Sequence, residues 1–231
     1  VDITVVLTSC GRSQELLEEA VYSFLFQEYP CKKLLLVNIH PTPVIFEHPD
    51  VEIHNIKPFD YYGQQVYYAL SQIKTPLWTV FDSDDLMLPW HLKNLYKNYQ
   101  KQTVHPCRVS HKQMWFSTKN RILRLARYNW TCCLYDALTE DMLDVIEKGS
   151  KCWMPDGFIF KQNFFEARFF CDSLPGTIYR KNLEWSISTH LDRSFVGTCE
   201  DIIKQMPGCK GVLNPHWRKD YVKEVINYAG N

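Results

Sequence analysis

Apolar residues along this chain fall first in short unbroken runs and then at helical spacing, and the two patterns alternate. Residues 3–8, Ile-Thr-Val-Val-Leu-Thr, form a β-branched apolar run of the kind that becomes a buried strand. The turn Ser9-Cys-Gly-Arg12 follows. Ser13 is placed to cap a helix with Glu15 in its first turn and Leu17, Val21, Phe24 and Leu25 along one face, and Pro30 marks its end. Residues 34–37 predict a second strand and residues 51–56 a third. A second helix is expected from Tyr61, with Val66, Ala69, Leu70 and Ile73 at helical spacing as far as Pro76. The run 77–81, Leu-Trp-Thr-Val-Phe, predicts a further strand that ends directly in Asp82-Ser83-Asp84-Asp85. Pro89 then stands where a helix start tolerates it, with Leu92, Leu95, Tyr96 and Tyr99 behind.

Beyond residue 100 the pattern is less regular. Residues 139–148 predict a helix with acids first, Lys148 last and Gly149 after it. Met154-Pro-Asp-Gly-Phe158 suggests a hairpin turn, residues 164–171 a strand, and Glu200 opens a short amphipathic helix. No internal repeat or low-complexity linker interrupts the chain. Alternating strands and helices over the first hundred residues imply an α/β fold with a mostly parallel sheet flanked by helices. Ligands in such sheets bind beyond the carboxyl ends of the strands, where both the 8–12 and 82–85 turns fall.

Composition changes this picture little. The 231 residues are 45% apolar and 23% charged, as in an ordinary globular enzyme. No apolar run reaches the ~18 residues of a membrane span and no leader pattern precedes Val1, so a cytoplasmic protein is expected. Nine cysteines without a C-x-x-C pair fit neither a zinc ribbon nor a disulfide framework and suggest reduced thiols. Charge matters more. Net charge is zero, yet residues 86–135 contain no Asp or Glu and carry Lys93, Lys97, Lys101, Arg108, Lys112, Lys119, Arg121, Arg124 and Arg127. This basic, aromatic-rich block has the composition of a polyanion-binding face, with Arg121, Arg124 and Arg127 as candidate acceptor contacts. A solvated face balanced by acids elsewhere gives the same composition.

The 82–85 turn is the sharpest chemical feature. Three carboxylates within four residues repel one another unless a cation or hydrogen-bond donors compensate them. Oxygen-only donors suit Mg2+ or Mn2+. An EF-hand calcium loop is excluded, because its Gly and bidentate Glu positions are held by Met87 and Lys93.

Residues 75–92, Thr-Pro-Leu-Trp-Thr-Val-Phe-Asp-Ser-Asp-Asp-Leu-Met-Leu-Pro-Trp-His-Leu, resemble the strand–DxD–helix signature of family-2 glycosyltransferases. Residues 3–12 resemble that family's first strand and nucleotide turn. Ser23, Gln27, Tyr29 and Pro30 match the close of its first helix, Gly63 a glycine before its next one, and Thr198-Cys-Glu200-Asp201 its acidic motif. The resemblance implies a single GT-A domain, with residues 1–100 as the nucleotide-sugar half and 101–231 as the acceptor half. It implies transfer of one sugar from a nucleotide-sugar donor to a saccharide or other hydroxyl acceptor, with inversion and with Mn2+ or Mg2+. Asp84 and His216 would hold the metal. Thr8, Ser9, Arg12, Asn38, Asp82 and Ser83 would bind the donor, and Asp201 would be the general base with Glu200 beside it. Val37-Asn38-Ile39-His40-Pro41 departs from the acidic turn usual after the second strand, and the Q-x-x-R-W motif of processive members is absent.

Two other readings stay open. A DNA glycosyltransferase acting on hydroxymethylated pyrimidines would use the basic block, and a non-catalytic carbohydrate-binding protein would share the fold. A nucleotidyltransferase would need a glycine-rich loop where only Gly11 stands.

Overall fold

A computed structural model of the chain describes residues 1–11, 13–117, 122–126, 130–136, 138–152, 167–171, 174–181, 198–204, 206 and 208–229. The first half contains β1 (Ile3–Ser9), α1 (Gln14–Leu25), β2 (Lys32–Asn38), β3 (Val51–Asn55), α2 (Tyr62–Ser71), β4 (Leu77–Asp82), β5 (Leu86–Met87) and α3 (His91–Tyr99). The second half contains β6 (Cys107–Ser110), β7 (Gln113–Ser117), β8 (Ile122–Ala126), β9 (Cys133–Asp136), α4 (Glu140–Lys148), β10 (Ala167–Phe170), β11 (Thr177–Lys181), α5 (Cys199–Ile203) and α6 (Tyr221–Ala229).

Seven strands form the main sheet in the order β10-β6-β9-β4-β1-β2-β3. The pairs β1–β2, β1–β4, β2–β3 and β6–β10 are parallel, and only β9 runs against its neighbours. The sheet is continuous across residue 100, because β6, β9 and β10 extend it beyond β4. A second sheet, β5-β11-β7-β8, lies outside it.

The two faces of the sheet separate residue by residue. Val5, Leu7, Leu34, Leu36 and Phe81 pack with Leu17, Val21 and Phe24 of α1 and with Leu92 and Leu95 of α3. Val6, Leu35, Val37, Trp78 and Val80 pack on the other side with Val66, Ala69 and Leu70 of α2 and Ile146 of α4. A strand covered on both faces needs apolar residues at successive positions, so its sequence reads as an unbroken run.

Local signals are mostly obeyed, with informative exceptions. Thr139 caps α4, its hydroxyl accepting from the Met142 N–H at 3.2 Å, and Gly149 follows the last turn. Ser13 stands at the N-cap of α1 but makes no capping hydrogen bond with its side chain. Helix α1 stops at Leu25 rather than running to Pro30. Gln27 turns inward instead, donating to the Ser23 and Leu88 carbonyls at 3.0 and 2.8 Å and accepting from Leu92 N–H at 3.1 Å. Ser23 accepts from Met87 N–H at 3.1 Å. The Ser23 and Gln27 pattern therefore ties α1 to the chain leaving the acid turn. Strand β10 (Ala167–Phe170) falls within the expected 164–171, of which residues 164–166 lie outside the described residues, as does the expected 154–158 hairpin.

Candidate functional site at the carboxyl ends of β1 and β4

Strand order reverses between β1 and β4, the crevice where α/β sheets bind ligands. Register places Thr8 opposite Asp82 across this crevice and Ser9 opposite Asn38 on the far side of β1. Tyr62, at the first turn of α2, joins the two strands. Its hydroxyl donates to Asp82 Oδ1 at 3.1 Å and lies 2.8 Å from Thr8 Oγ1. Because the tyrosine proton goes to the carboxylate, Thr8 supplies the proton of the second bond. Behind it, Gln65 donates to the Ser9 and Val37 carbonyls at 3.1 and 2.9 Å, locking the ends of β1 and β2 together. Gly63 lets α2 approach: a Cβ there would lie 2.3 Å from the Ser150 carbonyl oxygen.

Asn38 shapes its own loop. It is 0% exposed, its amide donates to the carbonyls of His40 and Thr42 and to Asn55 Oδ1, and its oxygen accepts from His40 N–H. A side chain engaged in this way positions the β2 loop rather than offering donors to a base. The loop brings His40 against two glycines with positive φ, Gly11 (88°) and Gly208 (71°). A Cβ on either would meet the ring, at 2.1 and 2.3 Å. Burial lowers the His40 pKa against a raising hydrogen bond to the Met206 backbone, so the ring favours its neutral form.

The acid turn is buried. Ser83, Asp84 and Asp85 are 2%, 4% and 0% exposed. The expected compensation of neighbouring carboxylates comes in part from neutral donors: Tyr62 at Asp82, and Thr131 at Asp85 Oδ2, 3.4 Å away, itself held by Gln113 at 3.2 Å. Arg180 of β11 brings a guanidinium to the turn, donating through Nε to the Asp84 carbonyl oxygen. Its Nη1 pairs with Glu19 of α1 at 2.5 Å and its Nη2 donates to the Leu16 carbonyl at 3.3 Å. Glu19 also accepts from Arg218 N–H at 3.2 Å and from the Tyr221 hydroxyl. Next to it, Glu18 holds Gln14, the Asn214 N–H and Arg218. Burial opposes its ionisation, but those donors outweigh burial and leave the carboxyl below its ordinary range.

The Thr198–Asp201 segment reaches the same end of the sheet. Cys199 and Ile203 of α5 pack on Cys10, Ile39 and Tyr62, and Cys199 N–H donates to the Asp60 carbonyl at 3.1 Å. Asp201 is the exposed third residue of a capping box. Its Oδ2 accepts from Thr198 N–H at 2.8 Å and from the Thr198 hydroxyl at 2.9 Å, and these bonds hold the carboxyl below its usual value. Glu200 is exposed and pairs with Lys204 at 3.5 Å. His216 is exposed, its Nδ1–H donating to the Asn214 carbonyl at 2.7 Å, which leaves Nε2 as the ring acceptor. Arg12, Arg121 and Arg127 lie outside the described residues, and Arg124 occupies β8 opposite Trp115. The basic block is divided: Lys93, Lys97 and Lys101 are exposed along and just beyond α3, whereas Arg108 is buried in the main sheet.

No family model and no curated protein matches this sequence. Solved structures do. Staphylococcus aureus TarS 1-349 superposes with a TM-score of 0.58 at 11% identity, over 78% of this chain and 60% of that one. Its complex with UDP gives 0.59 at 12% identity over 78% and 60%, and its complex with UDP-GlcNAc 0.57 at 11% over 79% and 59%. The chain thus spans about 60% of the length of the structures it matches. The fold is that of the GT-A glycosyltransferases.

The divalent ion implied by the sequence resemblance would draw on Asp84, buried in the acid turn, and on His216, which is exposed. Asp84 offers carboxylate oxygens, and Mg2+ or Mn2+ commonly takes one or two carboxylates and completes its shell with water and phosphate oxygens. Three acidic or histidine ligand atoms do not converge at the turn among the described residues; the cluster that does converge is His105, Cys107 and Asp136, elsewhere. Tyr62, Gln65, Glu19 and Arg180 were not legible as site residues in the sequence. Each acts through a partner at least 20 residues away, and none belongs to a local motif. Among the described residues, no helix is long and apolar enough to cross a membrane.

Proposed function

We propose that this chain is a glycosyltransferase that moves one sugar from a nucleotide-sugar donor to an acceptor hydroxyl, with metal assistance and inversion. The observation that supports it most is the meeting of Thr8 and Asp82 at the β1–β4 crevice, bridged by Tyr62, on a GT-A fold. In this reading Asp82 and Ser83 face the donor beside Thr8 and Ser9 at the end of β1, while Gly11 makes room for the His40 ring behind that turn. Asp84, with His216 as the second candidate, would hold Mn2+ or Mg2+, which when bound supplies charge neutralisation at the departing diphosphate. Asp201 is the proposed base. Its lowered pKa favours the ionised form, the state in which a carboxylate takes a hydroxyl proton.

The acceptor is proposed to be a saccharide or another neutral hydroxyl compound. Arg108, one cation of the basic block, is buried in the main sheet and so is withdrawn from any polyanion-binding face. Incubation with a panel of nucleotide sugars and Mn2+, followed by analysis of product stereochemistry, tests the reading. Donor turnover abolished by chelator and by Asp84→Ala, with a β-linked product from an α-linked donor, is expected. Full turnover in Asp84→Ala, or retention at the anomeric carbon, would overturn it. Steep salt dependence with duplex DNA as acceptor would replace the neutral acceptor by a polyanion.

A further inference from the structure

The opposite end of the main sheet holds a second cluster. Leu77, the first residue of β4, pairs with Asp136, the last of β9. Asp136 is thus five residues along β4 from Asp82, roughly 17 Å at ~3.3 Å per residue. Asp136 Oδ1 accepts from the Cys107 N–H at 2.6 Å, which fastens the start of β6 to the end of β9. That staple needs only one carboxylate oxygen. The other, Oδ2, lies 2.5 Å from His105 Nδ1 and 3.6 Å from Cys107 Sγ, and all three side-chain ligand atoms fall within 4.8 Å of one another. Cys107 and Asp136 are buried, while the His105 side chain is 43% exposed and opens the cluster to solvent. Tyr99 supports it from α3, hydrogen-bonding Asp136 and setting its ring edge-on to His105, centroids 5.4 Å apart.

We propose that His105, Cys107 and Asp136 bind a single transition-metal ion of the Zn2+ type, separate from the sugar-transfer site. Donor chemistry selects the ion. A thiolate and an imidazole with one carboxylate suit Zn2+ and disfavour Mg2+ and Mn2+. Bond lengths of about 2.0–2.3 Å to a tetrahedral ion imply ligand atoms roughly 3.3–3.7 Å apart. The sulfur–carboxylate separation already has that value. The imidazole must retreat by somewhat under ~1 Å, which its exposed side chain permits. On binding, the Cys107 thiol releases its proton to solvent and its sulfur forms the metal bond. The His105 ring proton shifts from Nδ1 to Nε2, breaking the hydrogen bond to Asp136, so that Nδ1 and the carboxylate both donate lone pairs. No oxidation is involved. Three protein ligands leave a fourth position for water on the His105 side, and the ion would clamp β6 to β9.

Titration of the purified full chain with Co2+ under reducing conditions tests this. One equivalent is expected to produce a near-ultraviolet thiolate-to-cobalt charge-transfer band that stoichiometric Zn2+ displaces and excess Mg2+ or Mn2+ does not. Zn2+ is also expected to raise the thermal midpoint. Cys107→Ser should remove the band. His105→Ala, at an exposed position that tolerates truncation, should fold and bind Zn2+ at least tenfold more weakly. Absence of the band at equimolar Co2+, its persistence in Cys107→Ser, or unchanged Zn2+ affinity in His105→Ala would each overturn the proposal. Because the oxygen-only acid turn cannot give a thiolate band, failure here leaves the glycosyltransferase reading untouched, and the converse holds.

Discussion

Arg180 links the acid turn to α1 through a buried charge pair, and its removal has a size that can be worked out. The side chains of Arg180 and Glu19 are 3% and 5% exposed and meet at 2.5 Å. Arg180→Met leaves the Glu19 carboxylate buried without its cation, a change that costs about 3–5 kcal/mol when nothing else compensates. Arg218 N–H and the Tyr221 hydroxyl still reach Glu19, so the lower end of that range is expected. The same substitution strips the Asp84 and Leu16 carbonyls of a donor, adding on the order of 1 kcal/mol each. Glu19→Gln keeps acceptors for Arg218 and Tyr221 while removing the buried charge. The double variant Glu19→Gln, Arg180→Met should therefore be more stable than Arg180→Met alone by about 1–2 kcal/mol. Urea denaturation of the four proteins, with midpoints compared at constant slope, measures the coupling. A single-variant loss below about 1 kcal/mol, or strictly additive losses, would refute the view that this pair supports the turn.

Stability should fall on mild acidification. Burial first, and then the charge of Lys112, pushes His111 down to about 4, against an opposing backbone hydrogen bond at Lys112. Burial and His111 push the fully buried His91 well below its ordinary value. The unfolded chain binds protons at these residues near pH 6.5 and the folded one does not, so stability present above that pH is lost as pH falls toward 4. His111 alone accounts for about 3 kcal/mol, and urea midpoints that are flat between pH 7 and 4.5 would contradict this. Both ring nitrogens of His91 lack a hydrogen-bond partner among the described residues, so His91→Leu should be neutral or stabilising by thermal denaturation. Gly11→Ala should destabilise by about 1–3 kcal/mol in the same assay, because it combines a φ of 88° with a Cβ 2.1 Å from His40. Tyr62→Phe should keep the fold and, if Asp82 faces the donor, weaken donor binding severalfold in calorimetry; unchanged affinity would detach Tyr62 from the site. Asp201→Asn keeps an acceptor for the Thr198 cap, so its melting point should hold while transfer drops about 10²-fold or more.

Sequence alone determined the elements whose signals are local. The runs in β1 and β4 were legible because a strand covered on both faces must be apolar at nearly every position. Helix α4 was legible because Thr139 and Gly149 act on the turns next to them. Parallel strands also bring their carboxyl ends to one edge, so the 8–12 and 82–85 turns were expected on the same side of the sheet. Tertiary structure decided the rest. The second sheet and α6 were not anticipated, because short strands of mixed pattern acquire their identity only from the neighbours that cover them. Ser23 and Gln27 looked like a helix-end motif, and only packing showed that they hold the chain leaving the acid turn. Asn38 was expected to bind the donor, and only the fold showed its amide engaged by His40, Thr42 and Asn55. Glu19 and Arg180 are 161 residues apart, and His105 and Asp136 are 31 apart. No local pattern marks such pairs, because a side chain's hydrogen-bond partner and its degree of burial are properties of the folded chain, set by strand register and helix packing rather than by the residues beside it.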